Sequence, residues 1–145
     1  MTMMAIKSEH FSLEELCKSK EAEKRGIDNT PTVGVAANLC NLITEVLEPA
    51  RRALGAPIIV TSGYRCPALN KAVGGVSNSQ HLTGQAADLV CTRYEDKRRL
   101  FEILKEMDVD QLLWERNSKG TTWVHVSFVA HGENRQMVRD NYNVK

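Results

Sequence analysis

Two short stretches of the sequence carry side chains that could hold a metal ion. The first runs from Ser79 to Asp88 and reads Ser-Gln-His-Leu-Thr-Gly-Gln-Ala-Ala-Asp, so that His81 and Asp88 lie seven residues apart. In the second, Trp123-Val-His-Val-Ser127, two valines flank His125, whose side chain points to the opposite face of a strand from theirs. Two imidazoles and one carboxylate are a typical catalytic zinc set, which leaves a fourth position for water. The pattern therefore indicates a zinc site made by these three side chains.

The surroundings of Asp88 support a cation as its partner. The residue lies within an otherwise apolar run, Ala86–Val90, where burying an unpaired carboxylate costs roughly several kcal/mol. Zinc suits a mixed nitrogen and oxygen donor set, whereas calcium or magnesium would need more oxygen ligands. Spacing alone leaves other interpretations open, because a lone strand histidine is more often a hydrogen-bonding partner and Asp88 could cap a turn. His10 and His131 lie in polar sequence, and we expect both to be solvated.

The predicted secondary structure places these residues on strands and at the loop that precedes one of them. The segment Ser12–Glu15 is a capping box that begins a short helix fading near Gly26. A core helix from Val33 is expected to kink at Pro49 and to end at Gly55. The other predicted elements are strand Ile58–Val60, a helical turn at Ala68–Val73, strand Ala86–Cys91, helix Glu95–Met107, and strands Gln111–Glu115 and Thr122–Val129. Consecutive strands near the end favour an α+β fold, a small antiparallel sheet with helices packed on one side.

Length and composition indicate one globular domain. The 145 residues are 42% hydrophobic and 26% charged, enough for a single core, which we place at about residues 11–139. Basic and acidic residues nearly balance, at 19 against 18, so we expect neither nucleic acid nor an anionic membrane as a partner. The apolar runs are too short for a transmembrane helix. We expect the domain, residues 1–145, to be a monomer.

Cysteine spacing and the N-terminal residues bear on the cellular compartment. The four cysteines form no C-x-x-C pair, so a cysteine zinc site is not expected. Met1–His10 lacks the apolar stretch of a secretory signal. We therefore predict a chain that is cytoplasmic at synthesis and keeps its thiols reduced.

Three motifs together resemble the zinc D-alanyl-D-alanine carboxypeptidase family. They are Ser62-Gly-Tyr-Arg65, the S-x-H-x-x-G-x-A-x-D string from Ser79 to Asp88, and Trp123-Val-His125. The family includes phage and bacterial L-alanyl-D-glutamate endopeptidases and shares its fold with the Hedgehog signalling domain. The likeness runs from about Phe11 to Arg139. It implies that His81, Asp88 and His125 hold Zn²⁺ and that the substrate is a peptidoglycan peptide.

A zinc peptidase of this kind also needs a carboxylate that moves protons. Many members place that acid three residues before the last histidine, where this chain has Thr122, and some carry a histidine where it has Trp123. The best substitute is Glu115, which the hairpin should fold back beside His125; the alternative is a surface glutamate at a strand end. By resemblance Arg65 binds a substrate carboxylate or the developing oxyanion, although a surface salt bridge is the alternative.

The remaining expectations concern the substrate. Ser79 and Gln80 flank the first histidine and could donate hydrogen bonds to substrate, and Trp123 is expected in the pocket wall. We predict a hydrolase that cuts peptidoglycan stem peptides, as a carboxypeptidase or an endopeptidase. A chain without a signal sequence fits a phage or prophage lysin that acts on the cell wall once released. Two alternatives stay open: a zinc peptidase for dipeptides or cytoplasmic peptides, and a non-catalytic zinc-containing domain that binds cell wall or protein.

Overall fold

The structure, a computed structural model, describes the backbone of residues 8–143 and the side chains of residues 8–141. Most of Met1–His10, the segment on which the prediction about a secretory signal rests, therefore lies outside the described residues. The helices are α1 (Leu13–Cys17), α2 (Lys20–Arg25), α3 (Val33–Leu42), a π-helical segment (Ile43–Leu47), α4 (Glu48–Leu54), α5 (Pro67–Ala72), a 3-10 turn (Gln80–Thr83) and α6 (Tyr94–Lys105). The strands are β1 (Ile59–Ser62), β2 (Ala86–Val90), β3 (Gln111–Arg116), β4 (Thr122–Ser127) and β5 (Met137–Asn143).

The sheet confirms the predicted α+β class and adds one strand. Its order is β1-β2-β4-β3-β5, and the pairs β1–β2, β2–β4 and β4–β3 are antiparallel as expected. The fifth strand, β5, pairs in parallel with β3, so the sheet is mixed. The sequence gives no signal for β5, because most of its residues are polar and the run does not resemble a strand.

The two faces of the sheet differ in chemistry, which follows from the alternation of side chains along each strand. One face belongs to the hydrophobic core and packs against helical residues such as Leu39, Leu47, Leu100 and Phe101. Its sheet residues are Ala87, Leu89, Leu112, Trp114, Val124 and Val126. The intervening residues of β2, β3 and β4 include Asp88, Glu115 and His125. The core face thus fixes the strands, and the other face carries the polar groups.

The helices before the sheet depart from the prediction in two places. The first predicted helix is two helices, because Ser19 accepts a hydrogen bond from the Ala22 amide and caps α2 separately from α1. In the core helix, the π-helical segment Ile43–Leu47 directly precedes the turn that contains Pro49. A π turn accommodates a proline, which has no N–H to donate and would clash with a regular preceding turn. Gly55, at φ 70°, ends α4 and thus the core helix, as expected.

The other predicted elements begin and end within about two residues of their observed bounds. None of the helices in the part of the chain that the structure describes has the length and apolar character needed to cross a membrane. All four cysteines are free thiols.

The prediction that His10 is solvated is wrong, because this residue is anchored to α4. Its Nδ1 lies 2.7 Å from Oε2 of Glu48, and its backbone N–H donates to Oε1 at 2.8 Å. The Ser8 hydroxyl donates to the same carboxylate at 2.7 Å. Burial would raise the pKa of Glu48, but these hydrogen bonds outweigh it and lower the pKa to about 2. His131 is exposed, as expected.

Replacing Glu48 with glutamine tests this anchor as a function of pH. Because the folded pKa lies below the unfolded value, the carboxylate stabilises fully above about pH 4.3 and loses its effect as the pH falls toward about 2. We expect Glu48→Gln to lower the free energy of unfolding by about 1–2 kcal/mol at neutral pH. The difference from wild type should shrink below about pH 4 when measured by urea unfolding. The exposed Glu45→Gln is the control, and an equal loss there would contradict the assignment.

Gly63 is the point where the chain after β1 passes closest to α1. A Cβ at this position would overlap the backbone carbonyl of Leu16, which accepts a hydrogen bond from the Tyr64 amide at 2.7 Å. A backbone contact of this kind cannot yield in the way that the end of a flexible side chain can. Only glycine therefore fits between β1 and α1.

Substituting Gly63 with alanine should destabilise the domain by about 1–3 kcal/mol, because the methyl group must displace backbone. The matched control is Gly34→Ala in α3, where an added Cβ meets no atom of the described residues within 4 Å. Alanine there should be neutral or stabilise by up to about 1 kcal/mol. Thermal or urea unfolding of both variants measures the contrast. Equal stability of Gly63→Ala and wild type would refute the close approach.

Candidate active site

His81 is held in place by hydrogen bonds to its ring and to its backbone. The Ser79 hydroxyl accepts a hydrogen bond from the His81 amide at 3.2 Å and caps the 3-10 turn, which ends at the left-handed Gly84. The Nδ1–H of His81 donates to the carbonyl of Gly63 at 2.7 Å, and the Arg65 amide donates to the His81 carbonyl at 3.0 Å. A ring nitrogen beside a carbonyl must carry the hydrogen, so the free electron pair belongs to Nε2.

Asp88 and His125 meet across two neighbouring strands. They are register partners in the antiparallel β2–β4 pair, and their side chains share the face opposite the core. Oδ1 of Asp88 lies 3.0 Å from Nδ1 of His125 and 3.4 Å from Nε2 of His81. The structure therefore brings together the three side chains that the sequence predicts as metal ligands, with ligand atoms within 4.8 Å of one another.

This donor set fits a zinc ion in number, type and spacing. Zinc binds imidazole nitrogen and carboxylate oxygen at about 2.1 Å, so two ligands of a tetrahedral ion lie about 3.4 Å apart. The observed separations of 3.0 Å and 3.4 Å are close to that value. His81 and His125 are 2% and 8% exposed, which places the donors in a setting that limits competition from water. Three protein ligands also leave one position of the tetrahedron open.

The charges within the cluster favour the ionised forms of Asp88 and His125. Burial alone would raise the pKa of Asp88, but the neighbouring His81 and His125 together hold it well below its ordinary value. Burial would lower the pKa of His125, yet the hydrogen bond and charge of Asp88 raise it. The Asp88 carboxylate is therefore ionised at neutral pH and available to a cation.

Glu115 lies beside the cluster, where the sequence analysis predicted it. It is the register partner of Trp123 in the β3–β4 pair, and the indole N–H donates to its Oε1 at 3.0 Å. The same oxygen lies 3.6 Å from Nδ1 of His125. Burial raises the pKa of Glu115, and the charge of Asp88 adds to this effect while His125 opposes it. A carboxyl group whose pKa is raised above its ordinary value holds a proton more readily, which suits it to accept and return one.

Arg65 enters the site from the segment between β1 and α5. Its Nε is buried and has no hydrogen-bond partner among the described residues. Burial lowers the pKa of the guanidinium, and the charges of Asp88 and Glu115 oppose that change. It does not form the predicted alternative, a surface salt bridge, with residues 8–141. A buried donor without a partner beside the His-Asp-His cluster is available to a ligand oxygen.

These groups open into a cavity of about 600 Å³. Ser79, Gln80 and Trp123 line it, as predicted for substrate contacts, and the loop from Val73 to Val76 forms part of its rim. The buried Asn70 holds that loop by donating to the Val76 carbonyl at 2.9 Å. A larger groove of about 770 Å³, between Ser12 and Pro31, contains none of the clustered histidines, so we assign the chemistry to the smaller cavity.

Two residues of the site were missed from the sequence. Asp110 is 3% exposed and precedes β3, and Arg135 lies in the segment before β5 and lines the cavity. Arg135 binds Asp110 through Nε and Nη2 at 3.0 Å and 2.7 Å. The sequence has no signal for this pair, because the two residues lie 25 positions apart and belong to no motif. Only the parallel pairing of β5 with β3 brings them together.

Comparison with known proteins places this geometry in a family. The Peptidase M15 family matches residues 9–127, which include every residue of the His-Asp-His cluster and Glu115. A zinc D-Ala-D-Ala carboxypeptidase of Streptomyces albus G is 50% identical over 44 residues. That alignment covers 30% of this chain and 17% of the relative, so the similarity spans a small part of the relative's length. On the family match, the chain belongs to the Peptidase M15 family.

Proposed function

We propose that this protein is a zinc-dependent peptidase that hydrolyses amide bonds in peptidoglycan stem peptides. His81, Asp88 and His125 are the proposed zinc ligands. The observation that carries the proposal is the convergence of these three side chains at the spacing of a zinc site, within a cavity that also holds Glu115 and Arg65. When bound, zinc supplies Lewis-acid chemistry, which activates water and polarises a carbonyl.

Glu115 is the proposed general base and acid. Its Oε1 is fixed by the Trp123 indole and lies 3.6 Å from Nδ1 of His125, so the carboxylate is held beside the metal-binding cluster. From there it can take a proton from the attacking water and deliver it to the departing amine. Trp123 therefore acts as a wall of the cavity and as the donor that orients Glu115.

Arg65 is the proposed stabiliser of negative charge on the substrate. Its buried Nε lacks a protein partner in the described region, so a substrate oxygen would satisfy it. A guanidinium in a water-poor site stabilises an oxyanion that develops during amide hydrolysis more strongly than it would in water. Ser79 and Gln80 complete the proposed substrate contacts from beside His81.

The substrate class rests on family membership and on the Streptomyces relative, whose name records action on D-Ala-D-Ala. Stem peptides contain D-residues, so their hydrolysis requires a dedicated site. We propose either a carboxypeptidase, which releases a terminal D-alanine, or an endopeptidase, which cuts between L-alanine and D-glutamate. Incubation with purified muropeptides followed by mass spectrometry separates them, because the new amine terminus names the bond. Bound zinc with no cleavage would instead favour a non-catalytic binding domain.

Removal of the metal ligands should abolish zinc binding. We expect His125→Ala to lose stoichiometric zinc, measured by elemental analysis after dialysis, because two donors hold the ion far more weakly than three. A chelator should inactivate the wild-type protein, and added zinc should restore it. The exposed His131→Ala is the matched control and should retain its metal. Full zinc content in His125→Ala would exclude His125 as a ligand.

Replacement of Glu115 by glutamine should separate metal binding from turnover. Glutamine keeps the shape and can accept the Trp123 hydrogen bond, but it cannot carry a proton. We expect kcat to fall by about 10²- to 10⁴-fold while zinc content stays unchanged. Glu45→Gln, which removes the same charge from an exposed helical position, should leave kcat as in wild type. Undiminished turnover in Glu115→Gln would remove this residue from the mechanism.

A further inference from the structure

We propose that Arg135 is a specificity-determining residue, which binds a free α-carboxylate on the substrate residue that follows the scissile bond. The proposal rests on the proposed peptidase function and adds a determinant of substrate choice to it. Its basis is a network of three side chains, in which the buried Asp110 holds Arg135 and Gln80, and both of these line the cavity.

Asp110 holds Arg135 in a fixed orientation. The buried carboxylate accepts three hydrogen bonds from this residue, from its backbone N–H at 2.9 Å, from Nε at 3.0 Å and from Nη2 at 2.7 Å. A guanidinium bound through Nε and Nη2 keeps Nη1 for another acceptor. The Arg135 side chain is 56% exposed although its partner is 4% exposed, so the free edge of the guanidinium reaches solvent where it lines the cavity. An arginine anchored in this way loses little side-chain entropy when it binds a ligand.

Gln80 links this arginine to the metal-binding cluster. Its Nε2 donates at 2.9 Å to Oδ2 of Asp110, the same oxygen that accepts from Nη2 of Arg135. The carboxylate therefore dictates which end of the Gln80 amide faces it. The other end, Oε1, is buried and lacks a donor among the described residues, and the next residue along the chain is His81. An N–H of a ligand can supply the donor that Oε1 lacks.

The two free groups together define a ligand. Arg135 offers a cationic donor and Gln80 offers an amide acceptor, and both are fixed on one oxygen of Asp110. An amino-acid residue that bears an N–H and a carboxylate on the same carbon matches this pair. Terminal D-alanine and γ-linked D-glutamate each present that combination on the leaving side of their amide bond. A residue whose α-carboxyl group is amidated, or continues the chain, does not.

The charges of the cavity agree with an anionic ligand. Its lining contains Arg65 and Arg135 against Asp88 and Glu115, and a divalent cation at the cluster would add two positive charges. The negative charge of Asp110 beneath Arg135 does not reverse that excess. Arg65, whose Nε is buried, and Arg135, which is at the exposed wall, would thus recognise different oxygens of one substrate.

The experiment uses two pairs of peptides, and the members of each pair differ in one group. In the first pair, L-alanyl-D-glutamate carries the free α-carboxylate and L-alanyl-D-isoglutamine carries an amide in its place. The second pair is a stem peptide that ends in D-Ala-D-Ala and its C-terminal amide. We expect the wild-type protein to favour the carboxylate member by about 10- to 100-fold in kcat/KM. Arg135→Met should abolish that preference through a higher KM for the carboxylate peptide and an unchanged KM for the amide.

The control variant is Arg139→Met, which removes an exposed arginine from β5 and should keep the preference. If Arg135→Met does not fold, the wild-type comparison still decides, because equal use of both members of each pair overturns the proposal. Equal losses on carboxylate and amide in Arg135→Met would also overturn it and leave Arg135 a structural residue.

Calorimetric binding of the same peptides to zinc-loaded Glu115→Gln separates this inference from the proposed function. A preference for the carboxylate in binding without any cleavage by the wild type would reject the peptidase and support the role of Arg135. Cleavage without a carboxylate preference would support the peptidase and reject the role of Arg135. If the wild-type protein cleaves none of the peptides and Glu115→Gln binds none of them, both proposals are rejected.

Discussion

Asp88 is a carboxylate within an apolar strand, and the fold must provide partners for its charge. The two imidazoles supply them, at 3.4 Å and 3.0 Å from the same oxygen, and the resulting cluster has the spacing of a zinc site. Because a buried unpaired carboxylate is costly, the positions of His81 and His125 are constrained by stability as well as by chemistry. A divalent ion held by the three donors would be a further partner for the same charge.

The sheet makes this arrangement possible by separating two tasks between its faces. Leu89, Leu112 and Val126 pack into the helical core and fix the register of the strands. That register places Asp88 opposite His125 and Glu115 opposite Trp123 on the other face. A shift of one residue would bury the polar face and expose the core, so the hydrophobic pattern indirectly fixes the geometry of the site.

Several residues outside the His-Asp-His cluster position the side chains of the site. Gly63 brings its carbonyl to Nδ1 of His81, and it can do so because it has no Cβ to overlap Leu16. Trp123 orients Glu115, and Asp110 orients Gln80 and Arg135. The Ser-Gly-Tyr-Arg segment is thereby explained by backbone contacts as well as by its arginine, since the Arg65 amide also holds the His81 carbonyl. Supporting contacts of this kind set the tautomer and direction of catalytic groups.

The sequence alone determined the elements with strong local patterns and the residues that carry the motif chemistry. The core helix, β2, α6 and the β3–β4 hairpin follow from apolar periodicity, and His81, Asp88 and His125 stood out by residue type and spacing. Only the tertiary structure decided what depends on distant contacts. The parallel edge strand β5 lacks a local signal, so neither it nor the Asp110–Arg135 pair that it brings to the cavity could be predicted. The contact between Gly63 and Leu16, and the pairing of His10 with Glu48, likewise join segments far apart in the chain. Local patterns report which face of an element is buried, whereas the partners of a polar group are set by packing between elements.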